Sequence, residues 1–189
     1  MNAIAEQLPK MTAREYLEWE AIQTTRYEYV NGDIFAMTGG SLPHNQIALN
    51  LYNSLRPHLK SRGCRSYVAD AKVRATEINA YFYPDLVVTC NSQDLNARDA
   101  IESPTLIVEV LSPGTSNYDR DDKFTAYRTI STLQEYVLID ADKIVVNCYR
   151  RGEGRMWLYY PYQAGDTIRF DSLDLDILLD DIYEDVKLD

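Results

Sequence analysis

Two carboxylates stand where carboxylates are costly. Glu109 lies inside "PTLIVEVLS", an apolar, β-branched run of strand length, and Asp85 follows Pro84 in "YFYPDLVVTC", at the head of Leu86-Val87-Val88. In an extended chain Ile107, Glu109 and Leu111 point to one face and Leu106, Val108 and Val110 to the other, so the glutamate shares its face with aliphatics. An unpaired ionised carboxylate there costs far more than a side-chain contact contributes, so Glu109 requires a partner. If the two strands are neighbours, both acids reach one end of a sheet, and at neutral pH protonation, a basic side chain or a divalent cation must offset their repulsion. Lys123 is the candidate base. A helix beginning near Tyr118 or Asp119 stacks Lys123, Tyr127 and Ile130 at i, i+4 and i+7, close to the end of the strand that delivers Glu109. One hard cation bound by Asp and Glu oxygens would equally supply the missing counter-charge.

Positioning these groups requires strands with helices packed on them. Thr12 with Glu15 three residues on, ahead of Tyr16, Leu17 and Trp19, predicts a short capped helix. Asn31-Gly32 between two runs of strand formers predicts a β-hairpin around residues 26–38. Ile47, Leu51, Leu55 and Leu59, with Gly63 as the stop, predict a helix whose last turn Pro57 distorts. "RSYVADAKVRAT", "YFYPDLVVTC" and "PTLIVEVLS" each read as one strand, "KFTAYRTISTL" as a helix, and "EYVLIDA", "KIVVNCYRR" and "MWLYYPY" as further strands. This order predicts an α/β (α+β) fold in a single domain over 1–189, a central mixed sheet flanked by helices. The acidic segment 166–189 is expected as a strand or helical turn on the sheet edge.

Charge is unevenly spread. The net charge is −10, but nine acids against Arg169 and Lys187 put −7 of it into residues 166–189. Arg56, Lys60, Arg62, Arg65, Lys72 and Arg74 face only Asp70 between positions 56 and 74. A solvated helix end and strand edge account for such a cluster, and phosphates would also suit it. The N-terminus mixes acids and bases without an apolar core, and no segment is apolar over a membrane-spanning length, so neither a signal peptide nor a membrane anchor is expected. Cys64, Cys90 and Cys148, odd in number and widely spaced, fit neither a disulfide framework nor a zinc site, which points to a reducing cytoplasm.

The order Pro84-Asp85, then Glu109 in "EVL", resembles the PD-(D/E)XK nuclease superfamily. More closely, "RYEYVNGDIFAMTGGSLPHNQIALNL", "YFYPDLVVTC" and "PTLIVEVLSPGTSNYDRDDKFTAYRTISTLQEYVLID" look like the Uma-type restriction-endonuclease family, over roughly residues 10–150. The resemblance implies a restriction-endonuclease-like core with an added N-terminal helix and hairpin, and Mg2+-dependent hydrolysis of phosphodiester bonds, with Mn2+ able to substitute. Its substrate would be double-stranded DNA and its active unit a homodimer. Carried over by position, Asp85 and Glu109, with the carbonyl of Val110, would be metal ligands. Lys123 would orient or activate water and stabilise developing charge, and Glu28 in "RYEYVNG" would be an early acid joining the site. His44 in "SLPHNQ", Asp70 and Lys72 in "ADAKVR", and Tyr127 would be peripheral. One departure stands out: the superfamily lysine two places after the glutamate is replaced by Leu111, the family's lysine being shifted to the following helix. Competing readings are a metal- or nucleic-acid-binding module without turnover, and a protein-interaction domain using Tyr149, Tyr159, Tyr160 and Tyr162.

Overall fold

In the computed structural model, which describes residues 9–37, 39–112 and 116–188, local signals become elements in a consistent way. Thr12 and Glu15 exchange the two hydrogen bonds of a capping box at the start of α1 (Ala13–Glu20). Asn31 and Gly32, at φ 46° and 102°, turn the chain between β1 (Tyr27–Val30) and β2 (Asp33–Ala36), the positive-φ pair that a two-residue hairpin requires. Helix α2 (Leu42–Ser61) buries Ile47, Leu51, Leu55 and Leu59 and continues through Pro57 to its end. Then come β3 (Arg65–Val68), β4 (Val73–Ala75), β5 (Ala80–Phe82), β6 (Leu86–Thr89), the short α3 (Ser92–Asn96) and β7 (Leu106–Leu111). A helical run over 116–127 follows, made of α4 (Ser116–Tyr118), a π-helical stretch Asp119–Lys123 and α5 (Phe124–Tyr127). The chain closes with β8 (Glu135–Asp140), β9 (Val145–Arg151), β10 (Trp157–Gln163), β11 (Thr167–Phe170), β12 (Leu175–Leu178) and α6 (Leu179–Ile182).

The central sheet has the order β10-β9-β8-β7-β6-β3 and is antiparallel except for the parallel pair β7–β8. A second antiparallel sheet, β2-β1-β5-β4, carries the hairpin. The alternation along β7 divides the core in two. Leu106, Val108 and Val110 pack with α2, while Ile107 and Leu111 pack with Val73, Ala75 and Phe82 of the second sheet and with Tyr127. Glu109 therefore points into the layer between the central sheet, the second sheet and the 116–127 helix.

Four expectations need correction. "RSYVADAKVRAT" and "YFYPDLVVTC" are each two strands that leave one sheet for the other, the second broken at Tyr83–Asp85 where Pro84 has no N–H to continue a ladder. The helix expected over "KFTAYRTISTL" ends at Tyr127, and the residues after it form turns. The acidic segment is not on the edge of the central sheet: β11 and β12 form their own ribbon, and Ile168, Phe170, Leu173, Ile177, Leu179 and Ile182 enter the core beneath α2. Finally, Cys64 and Cys90 form a disulfide and only Cys148 is free. The antiparallel register Arg65↔Thr89 sets the two cysteines directly opposite one another, one step beyond. That cross-link removes the cysteine argument for a reducing compartment. Among the described residues no helix is long and apolar enough to cross a membrane. The expectations that touch residues 1–8, Thr38, 113–115 and Asp189 lie outside the described residues.

Candidate active site

The register that pairs Leu86 with Val108 places Asp85 opposite Glu109, one step past the last paired residues of β6 and β7. At that step Asp85 substitutes a side-chain contact for the ladder: the N–H of Val110 donates to its Oδ2 at 2.7 Å. The same oxygen lies 3.2 Å from Nε2 of His44. His44 is fixed at the start of α2, where its N–H donates to the Ser41 hydroxyl at 3.3 Å. Gly40 makes room for the ring, since a Cβ there would fall 2.5 Å from Nδ1 of His44.

Glu109 has the partner that its burial demands. Lys123 Nζ donates to Oε1 at 3.1 Å and the Tyr127 hydroxyl donates to the same oxygen at 3.1 Å. Lys123 is 6% exposed and also reaches Oε1 of Glu28 at 3.0 Å and Oδ1 of Asp119 at 3.3 Å. Glu28, brought in by β1, accepts from the Tyr83 N–H at 3.2 Å. The π-helical stretch carries both Asp119 and Lys123, a local widening of the helix that recurs at functional sites. Tyr118, just before it, presents its ring 5.8 Å from Lys123 Nζ, and among the described residues its buried hydroxyl has no hydrogen-bond partner.

Burial and neighbouring charge set the electrostatics of this cluster. Burial pushes the Glu109 carboxyl well above the ordinary range; Lys123 opposes the shift and Asp119, Asp85 and Glu28 add to it. Glu28 is raised for the same first reason, burial, against Lys123 and the Tyr83 N–H. Burial alone would lower Lys123, yet Glu109, Glu28 and Asp119 carry it well above the ordinary lysine value. Burial likewise works against charge on His44, and the Asp85 hydrogen bond and charge outweigh it and raise the imidazole. The lysine is held protonated while burial, first of all, drives two of its acid partners toward the neutral form.

The donor set suits a hard divalent cation: the groups are carboxylate oxygens in negative excess, with a main-chain carbonyl beside them. Among the described residues no three His, Cys, Asp or Glu side chains converge as a ready-made ion cage. Mg2+ does not require one, because it takes one or two carboxylates and fills its other positions with water and phosphate oxygens.

The structure thus brings together Asp85, Glu109, Lys123, Glu28, Tyr127, His44 and the Val110 backbone. Asp70 and Lys72 sit apart from them. Lys72 Nζ pairs with Glu20 Oε2 at 3.1 Å, and exposed Asp70 faces Arg26 at 3.6 Å. Their link to the cluster runs through Tyr83, whose hydroxyl donates to Glu20 at 2.7 Å and whose N–H donates to Glu28. Sequence reasoning missed Asp119 as a member of the cluster, along with Glu20, Tyr83 and the Tyr118 hydroxyl. Asp119 did carry a signal, its i, i+4 spacing to Lys123.

A helix-flanked mixed sheet, with its acids gathered where two strands part and a lysine supplied by the next helix, defines a restriction-endonuclease-like fold. Residues 13–179 match the Uma2 family, described as "Putative restriction endonuclease", and the chain belongs to that family. It is 37% identical over 175 residues to the uncharacterized protein slr1290 of Synechocystis sp., covering 93% of this chain and 92% of the relative. A second uncharacterized Synechocystis protein, sll1609, is 37% identical over 150 residues, or 78% of this chain and 85% of that one. The solved structure of a "putative nuclease belonging to DUF820" from Anabaena variabilis shares the fold, with a TM-score of 0.76 over 92% of this chain and 97% of that chain at 18% identity.

Proposed function

We propose that the protein is a Mg2+-dependent nuclease that hydrolyses phosphodiester bonds of double-stranded DNA. The observation that carries the proposal is the buried cluster of Glu28, Glu109 and Asp119 around one lysine, with Asp85 adjoining it. A core does not gather like charges unless something else uses them. Asp85, Glu109 and the Val110 carbonyl would hold Mg2+, with Mn2+ as a substitute. Such an ion supplies Lewis-acid polarisation of a phosphoryl oxygen and acidifies water.

The chain's own residues do the rest. Lys123, kept protonated by its acid partners, serves as a fixed positive charge where negative charge grows on the phosphoryl group rather than as a base. Tyr127 and Lys123 together fix the Glu109 carboxylate, and the Val110 N–H and His44 fix Asp85. The buried Tyr118 hydroxyl, without a partner among the described residues, would be a donor left over for substrate. Cutting both strands of a duplex calls for two such sites, so the proposed active unit is a homodimer, a point that sedimentation analysis tests.

The primary experiment is calorimetric titration of Mn2+ into wild type and Glu109→Ala, followed by hydrolysis of plasmid DNA. Wild type should bind one cation at the cluster that the folded variant does not bind, and both Glu109→Ala and Asp85→Ala should lose about 100-fold or more in rate, the scale of one lost electrostatic group. Equal cation binding by wild type and variant would refute the site, and cation binding without turnover would favour a binding module on the same fold.

A further inference from the structure

Helix α2 separates two surfaces of opposite charge. On one flank Asn50 donates to the carbonyls of Ile182 at 3.1 Å and Glu184 at 2.7 Å, and Nε2 of His58 lies 2.6 Å from the Leu173 carbonyl, so this side is covered by the acidic segment. On the other flank Tyr52, Arg56 and Lys60, spaced four residues apart, line a cleft of about 400 Å³ beside β3 together with Arg65, Ser66 and Leu95. Among the described residues no acid lines this cleft. Arg56 and Lys60 are exposed, and among the described residues neither has a salt bridge. The Arg65 guanidinium is anchored across the cleft by donating to the Leu95 carbonyl at 2.9 Å. In a chain of net charge −10, three clustered cations with no acid in the cleft suit a counter-charge from outside the molecule.

A neighbouring cleft of about 470 Å³ shares Tyr52 and Ser66 with this one and differs in charge, with Asp70, Asp94 and Asp99 beside Lys72 and Arg98. β3 is the edge strand of the central sheet, and its Arg65 and Ser66 line the basic cleft. From Tyr52 to Lys60, α2 rises roughly 12 Å along the basic cleft.

We infer that this basic cleft seats the sugar-phosphate backbone of double-stranded DNA, with Arg56, Lys60 and Arg65 on its phosphates. Duplex suits the cleft better than a single strand, since single strands are held by exposed stacking rings and the ring here, Tyr52, is half-buried. The ligand class rests on the proposed nuclease reading, but the test needs no turnover.

Fluorescence anisotropy of a labelled duplex of about 20 bp, titrated with the full chain in EDTA from about 50 to about 200 mM salt, reads binding alone. Arg56→Glu/Lys60→Glu should weaken binding at least about 10-fold, and Arg56→Gln/Lys60→Gln should flatten the log–log salt slope by about 2, one for each lost phosphate contact. A control reversal of exposed cations elsewhere, Arg155→Glu/Lys187→Glu, should bind as wild type does. The inference is overturned if wild type does not bind, if the cleft variants bind within about twofold of it, or if the control weakens binding equally. Binding that depends on Arg56 and Lys60, with no hydrolysis in Mg2+, would leave the DNA-binding cleft standing and sink the nuclease reading. Hydrolysis unaffected by the cleft variants would do the reverse.

Discussion

Lys123 serves three buried carboxylates, Glu28, Glu109 and Asp119, at 3.0, 3.1 and 3.3 Å, and the consequences of removing charges from this group are unequal. Lys123→Met would strand three acids in a core of low polarisability, and breaking a buried ion pair from one side costs about 3–5 kcal/mol. Glu109→Gln keeps an acceptor for Lys123 and Tyr127 and removes one of the like charges, so it should leave stability within about 1 kcal/mol of wild type, or raise it. Urea denaturation of both variants near neutral pH gives the order. A Glu109→Gln variant less stable than Lys123→Met would mean that the carboxylates are already neutral and the lysine dispensable. At this scale much was legible in the sequence: the alternation in "LIVEVL" isolates Glu109, and the i, i+4 stripe delivers Lys123 and Tyr127 to it. Asp119 was passed over, because "DRDD" after a run of turn formers has the composition of a helix cap, and only its i, i+4 spacing to Lys123 marked which of its acids turns inward.

Among the elements, those set by near neighbours were legible and those set by pairing partners were not. The Asn31-Gly32 hairpin, the capped α1 and the four-residue stripe of α2 depend on contacts within a few residues. The splitting of "RSYVADAKVRAT" and "YFYPDLVVTC" between two sheets depends on which strands lie alongside, as does the meeting of Cys64 with Cys90. That disulfide ties the edge strand β3 to β6, the strand headed by Asp85, and closes a loop of 26 residues. A loop of this size corresponds to about 3 kcal/mol of stabilisation. Reduction, or Cys64→Ser, should therefore lower the unfolding free energy by about that amount. Thiol titration of the denatured, unreduced protein should find Cys148 alone. Reaction of all three cysteines without reductant would show the cross-link to be absent and restore the argument for a reducing compartment.

For the molecule as a whole, charge is balanced regionally rather than overall, with acids concentrated in the C-terminal ribbon and in the buried cluster, and cations along one flank of α2. The buried part of this pattern has a measurable pH signature. Glu28 and Glu109 are raised above their ordinary value of 4.5, so what they contribute to stability is fully present below that pH and is lost as pH rises through their folded values. Lys123, raised above 10.5, contributes stability that persists until pH climbs past that value, and leaves the window between unchanged. A divalent cation binds the ionised carboxylates and competes with their protons, so it should restore most where the loss is greatest. Thermal melts with and without Mn2+ should then show a larger rise in Tm near pH 8 than near pH 5. Glu109→Gln should lose most of that rise, which separates the buried cluster from cation uptake by the acidic ribbon. A rise equal at both pH values, or retained by Glu109→Gln, would assign the effect to the molecular surface and leave the buried acids without a metal.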